Sequence, residues 1–275
     1  MSSFRGSKEL TRDWKHFRFE VRNGIASLTF DRPEKLNALT FEAYADLRDL
    51  LAELPGHEDA RVLVLAGTGR GFCSGGDVHE IIGELLRMDG RRHLEFTRMT
   101  CDVVQRMREL PLPIIAKIQG IAAGAGSVIA LAADFRLLSR SASFAFLFTK
   151  VGLSGGDMGS AYLLPRLVGL GHATELLMLG DKIDAGRALE IGLANQVFED
   201  GELDEKTGEL ATRLAQGPCY AYANTKRLLS RELDMDLSGS LELDAVAQAH
   251  LMSSRDFREF YDAFNEKRKP DWKGR

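Results

Sequence analysis

Two glycine-rich segments hold the residues whose types and spacing could do chemistry. The run Gly120-Ile-Ala-Ala-Gly124-Ala-Gly126 follows an apolar stretch, Ile114 to Ile118, and leads into small residues, Ser127 to Ala133, that read as a short helix. Glycines at a strand-to-helix turn leave a backbone amide uncovered, and the start of the next helix lends it partial positive charge. A second segment, Gly71-Phe-Cys-Ser-Gly75-Gly76-Asp77, follows the apolar strand Val62 to Leu65 in the same way. Either one alone reads equally well as a tight turn under a closely packed helix. Together they can aim two amides at one oxygen, which is the minimal design of an oxyanion hole.

The elements that must position these turns follow from periodicity. Phe17 to Phe30 alternates around Asn23-Gly24, the strongest hairpin signal in the chain. Thr40 reads as the N-cap of a helix with Tyr44, Leu47, Leu51 and Leu54 at helical spacing, ended by Pro55-Gly56. A charged helical region from Val78 to Leu110 breaks at Asp89-Gly90 and is stopped by Pro111 and Pro113. A strand at Phe135 to Leu138, a loop from Val151 to Gly159 and a helix carrying Leu163, Leu164, Leu167 and Val168 come next. From Gly171 onward the pattern is nearly all helical, over 173–180, 184–191, 203–216, 221–230 and 238–253. Strands alternating with helices predict an α/β arrangement with crossover connections.

Composition narrows the function classes. The chain has 275 residues, 44% of them hydrophobic, enough for one substantial core with or without an appended helical part. Its 36 basic and 40 acidic residues leave a net charge of -4, which argues against a nucleic-acid binder. Cys73, Cys101 and Cys219 are odd in number and widely spaced, so neither a disulfide framework nor a metal site is visible. Met1 to Trp14 lacks the apolar core of a leader, and no apolar run approaches a membrane span. The expectation is a soluble protein of a reducing cytoplasm.

The order of motifs carries more. Asp31-Arg-Pro-Glu-Lys-Leu-Asn-Ala38, the segment from Gly71 to Asp77, the segment from Gly120 to Gly126, Pro165-Arg-Leu-Val-Gly169 and Glu266-Lys-Arg-Lys-Pro270 together resemble the crotonase superfamily, the enoyl-CoA hydratase/isomerase family. The resemblance runs from about Phe17 to the C-terminus. It implies a spiral of ββα repeats over 1–200 and a C-terminal helical region, 201–275, used to build a homotrimer or a dimer of trimers. It also implies an acyl-CoA thioester as ligand, with coenzyme A arriving as part of the substrate and no permanently bound cofactor. By position the oxyanion amides fall on Gly76 and Ala125. Lys35, Ala38 and Ser74 match the part that holds the adenosine and pantetheine portions. Phe264 and Lys267 match the closing C-terminal helix, often a neighbouring subunit's.

Where the family's hydratases carry two carboxylates this chain has Val128 and Phe148, so a two-acid hydration is unavailable. One carboxylate remains nearby, Asp157 in Gly155-Gly-Asp-Met-Gly159. The resemblance implies a general base there in dienoyl-CoA isomerases and a nucleophile in 4-chlorobenzoyl-CoA dehalogenases, whose histidine position falls here at Cys101 or Asp102. The bland alternative is a helix N-cap for the segment beginning at Met158. Phe146, Phe148 and Val128 suggest an apolar pocket for a planar acyl group.

Other residues have competing readings. Asp77 fits a cap for the helix at Val78. Cys73 fits a space-filling thiol. His79, Glu80 and His93 fit solvated surface positions. Gly152-Leu-Ser154-Gly-Gly156 matches the G-x-S-x-G nucleophile elbow, which requires a strand before it and a helix directly after it. A homologue that binds acyl-CoA without transforming it is the non-enzymatic alternative.

Overall fold

The computed structural model describes residues 9–274. The first eight residues of the stretch Met1 to Trp14, read above as lacking a leader, lie outside the described residues. The chain opens with the expected hairpin, β1 (Phe17–Arg22) antiparallel to β2 (Ile25–Phe30), followed by α1 (Phe41–Glu53), whose cap Thr40 accepts from the Ala43 amide at 3.1 Å.

Three repeats of strand, strand and helix come next. The first is β3 (Val62–Gly67), β4 (Gly71–Cys73), a π turn (Val78–Ile82), α2 (Gly83–Leu85) and α3 (Gly90–Glu109). The second is β5 (Ile114–Ile118), β6 (Ile121–Ala123) and α4 (Ala125–Ala132). The third is β7 (Phe135–Ser139), β8 (Ser143–Ala145) and α5 (Ser160–Leu179), which is interrupted at Gly169. Each repeat gives its first strand to a six-stranded sheet, β1-β2-β3-β5-β7-β10, and its second to a four-stranded sheet, β4-β6-β8-β9. This is the α/β spiral that the motifs implied. The closing strands are β9 (Ile183–Asp184) and β10 (Gln196–Phe198), with α6 (Ala185–Glu190) between them.

The inner strands of the first sheet, β3, β5 and β7, are covered on both faces, which explains why β3 reads as an unbroken apolar run. Leu63 and Leu65 join Leu28 and Ala116 in the main core, whereas Val62, Val64, Ile115 and Leu137 are covered by Leu203, Ala211 and Leu214 of α7 (Leu203–Ala215). Phe30 of β2 meets Phe72 of β4 edge to face at 5.8 Å, tying the two sheets at the end where the glycine turns emerge. Beyond α7, α8 (Cys219–Arg231) packs on α3, α9 (Leu237–Met252) on α8 and α10 (Arg255–Glu266) on α9.

Several elements differ from the sequence expectation. The segment from Gly120 to Gly126 is not a plain turn, because it contains β6. Likewise β4, β8 and β9 have two or three residues each, too few to show alternation. β10 interrupts the region read as helical and pairs in parallel with β7. The helix α4 starts at Ala125, two residues before Ser127. The Ser127 hydroxyl is satisfied by the carbonyls of Ala122 (2.7 Å) and Ala145 (3.1 Å), so it does not cap.

Candidate active site

The two glycine turns are brought together by strand pairing. β4 and β6 are parallel neighbours, with Gly71 opposite Ile121 and Cys73 opposite Ala122, so the turns leaving their C-terminal ends emerge side by side. On the other edge of the first turn lies Leu39. Its amide donates to the Gly75 carbonyl and its carbonyl accepts from the Asp77 amide, both at 2.8 Å. These two bonds straddle Gly76 and turn its own N–H to the opposite edge, along which β6 and Ala125 lie.

Gly75 leaves no room for a side chain of its own between the turns. A Cβ on Gly75 would stand 2.9 Å from the Ala123 carbonyl oxygen and 3.3 Å from the Ala125 nitrogen, and Gly75 sits at φ +96°. Ala125 is the first residue of α4, where N–H groups lack intrahelical partners and the helix dipole is positive. Among the described residues neither the Gly76 nor the Ala125 amide has an acceptor. At the other end of α4 the buried guanidinium of Arg136 donates to the carbonyls of Ala133 and Leu193, both at 2.6 Å. Burial draws its pKa down to about 10, so it remains a cation facing the negative end of the helix.

Three of the expected CoA-binding residues flank this pair. The Ser74 hydroxyl donates to the Lys35 carbonyl (3.2 Å) and the Ser74 amide to the Leu36 carbonyl (2.9 Å). Arg32 donates to the Ala38 carbonyl (2.9 Å) and pairs with Asp77 (3.3 Å) and Glu80 (3.0 Å). Asn37, absent from the sequence reading of the site, anchors the whole loop. Buried and at φ +58°, it donates to the carbonyls of Thr68, Gly71 and Phe72 and accepts from the Arg32 amide. A polar residue between Leu36 and Ala38 was the available signal.

The other two expected residues stand apart. Phe264 and Lys267 are exposed at the end of α10. The chain beyond them runs to the opposite end of the first sheet, where Arg61 donates to the Ala215 and Trp272 carbonyls beside the Asn23-Gly24 turn. Within one chain they do not meet Lys35 or Ser74.

Asp157 is half-buried in a turn that packs against α3 and α4. Burial raises its pKa above the usual carboxylate range, opposed by the Met158 amide, which donates to its Oδ1 at 2.9 Å. It does not cap α5, whose first residue follows Gly159 and has no side-chain cap. Met158 holds φ +50°, an uncommon conformation for a long side chain. The Cys101 thiol of α3 lies near the same amide and has its pKa raised by partial burial and by Asp157 and Asp102.

Tyr44 joins this group although its spacing on α1 reads as plain core. It is 3% exposed, packs edge-on against Phe96, and its hydroxyl lies 3.6 Å from where a Cβ on Gly76 would be. Burial raises its pKa well above the ordinary phenol value, with Cys73 and Asp157 adding to the effect. Cys73 itself is fully buried and its thiol is pushed up to about 12, in keeping with a space-filling role.

The remaining readings resolve simply. Asp77 caps the π turn, accepting from the amides of His79 (3.0 Å) and Glu80 (3.2 Å). His79, Glu80 and His93 are exposed. Ser154 is exposed, follows a 3-10 turn (Thr149–Val151) instead of a strand, and is six residues before the start of the next α-helix, so the elbow context is missing. Val128 and Phe146 are wholly buried and Phe148 nearly so, all within the main core.

Comparison with known proteins finds similarity along nearly the whole chain. A family model described as enoyl-CoA hydratase/isomerase matches residues 20–275. A Rhodobacter capsulatus protein provisionally named enoyl-CoA hydratase is 37% identical, covering 94% of this chain and 98% of its own. The 1,2-epoxyphenylacetyl-CoA isomerase of Escherichia coli is 34% identical, covering 93% and 97%. A solved structure from Streptomyces coelicolor A3(2), also provisionally named enoyl-CoA hydratase, is 61% identical with a TM-score of 0.97 over 100% of both chains.

Proposed function

The chain belongs to the enoyl-CoA hydratase/isomerase family of acyl-CoA-transforming enzymes, and from that footing we propose that it enolises its thioester, with Gly76 and Ala125 as oxyanion donors and Asp157 as acid and base. The observation that carries this is the parallel pairing of β4 and β6, which sets two acceptor-free amides side by side. A thioester oxygen accepting both N–H bonds gains most as negative charge builds on it, so the pair favours the enolate over the ground state. Asp157 takes a proton from carbon next to the carbonyl, or from the vinylogous position, and returns it elsewhere on the acyl chain. That sequence is an isomerisation. It needs no placed water, consistent with buried apolar side chains at Val128 and Phe148.

Lys35, Ala38 and Ser74 border the adenosine and pantetheine portions in this reading. Phe264 and Lys267 are supplied by a neighbouring copy in a homotrimer or dimer of trimers. A nucleophilic Asp157 is less favoured, because the group beside it on α3 is the Cys101 thiol with a raised pKa.

The test is incubation with a panel of acyl-CoA esters in deuterated water. The expected result is deuterium incorporation at the α or γ carbon. Asp157→Asn should keep ester affinity and lose about 100-fold or more in exchange, the scale of a removed acid-base group. Full exchange in the variant would reassign the base. No exchange and no product with any ester would leave a protein that only binds.

A further inference from the structure

Tyr44 poses a problem that core packing does not solve. A phenylalanine would fill the same space against Phe96, yet this position carries a hydroxyl. Among the described residues no protein group hydrogen-bonds this oxygen, which is left open to a ligand or to water. Its place is specific. The oxygen lies 3.6 Å from the Cβ position of Gly76, beside Ile81, and close enough to Asp157 for the carboxylate to add to the rise in the phenol's pKa. On the proposed site assignment, a thioester whose carbonyl oxygen rests on the Gly76 and Ala125 amides brings its acyl group beside Gly76 and so near this oxygen.

We infer that the Tyr44 hydroxyl is a specificity-determining contact that hydrogen-bonds an oxygen substituent on the acyl group, so that the site favours hydroxy- or oxo-acyl thioesters over their unsubstituted parents. This rests on the site assignment made under Proposed function. Desolvation keeps the phenol protonated, so it is present as a donor throughout the working pH range. Once an acyl group covers this donor, an analogue lacking the acceptor leaves it unpaired and binds more weakly. Asp157 does not quench it, since its Oδ1 is taken by the Met158 amide and no bond joins it to Tyr44.

The experiment is calorimetric titration of the wild type and Tyr44→Phe with CoA esters differing by one oxygen: butyryl against 3-hydroxybutyryl and 3-oxobutyryl, and benzoyl against 4-hydroxybenzoyl. The wild type should bind at least one oxygenated member about tenfold more tightly than its parent, the worth of one well-made buried hydrogen bond. Tyr44→Phe should erase that gap while holding the parent ester within about twofold, the packing being retained. No gap in the wild type for any pair, or a gap that survives in the variant, overturns the inference and leaves the site assignment standing. A tenfold loss for the parent as well makes the hydroxyl structural and also overturns it. If neither protein binds any ester, the site assignment fails first and this inference with it.

Discussion

A single carboxylate sets the working pH of the proposed chemistry. Asp157 must be unprotonated to accept a proton, and burial has moved its pKa upward. Turnover should therefore fall with decreasing pH through a value above the roughly 3.9 of an ordinary aspartate. A pH profile of kcat/KM measures that limb, and a limb at the unshifted value would exclude Asp157 as the group being titrated. Asp157 was legible because it stands in a recognisable run of glycines. Tyr44 was not, because an aromatic residue at helical spacing is correctly read as core, and only the folded chain carries its hydroxyl to Gly76.

Among the elements, the contact of α4 with β4 decides whether the two turns stay in register. A Cβ on Gly126 would fall 2.1 Å from the Cys73 carbonyl oxygen and 2.8 Å from its carbon, both backbone atoms that cannot swing aside. Gly126→Ala should lower stability by about 1–3 kcal/mol as α4 lifts off the strand. It should also cost about 100-fold or more in turnover, as one amide leaves the thioester oxygen. Denaturant melts and initial rates check both halves, and wild-type values for each would disprove the account. The long elements were legible from sequence because their periods repeat: the hairpin, α1 and the buried strands β3 and β5. The second sheet was not. Its strands have only two or three residues, and their pairing comes from the spiral path of the chain, which no local pattern records.

Across the whole molecule, the described chain leaves one part of the expected CoA site outside its own reach. Among the described residues no helix is long and apolar enough to cross a membrane. Yet α10 exposes Phe257, Phe260, Tyr261 and Phe264 along one face. If that helix completes a neighbour's site, Phe264→Ser and Lys267→Glu should each raise KM for a CoA ester severalfold with kcat unchanged, and dilution of the wild type below its assembly range should do the same. A KM that ignores both changes would place CoA closure within one chain. The Asn37 anchor has a consequence for shelf life. Hydrolysis of that one amide would trade a donor of two protons for a carboxylate confronting three carbonyl oxygens. Chemical ageing would thus loosen the loop from Lys35 to Ala38 while the β-spiral persisted, and on the proposed reading old preparations would lose their grip on substrate before losing their shape.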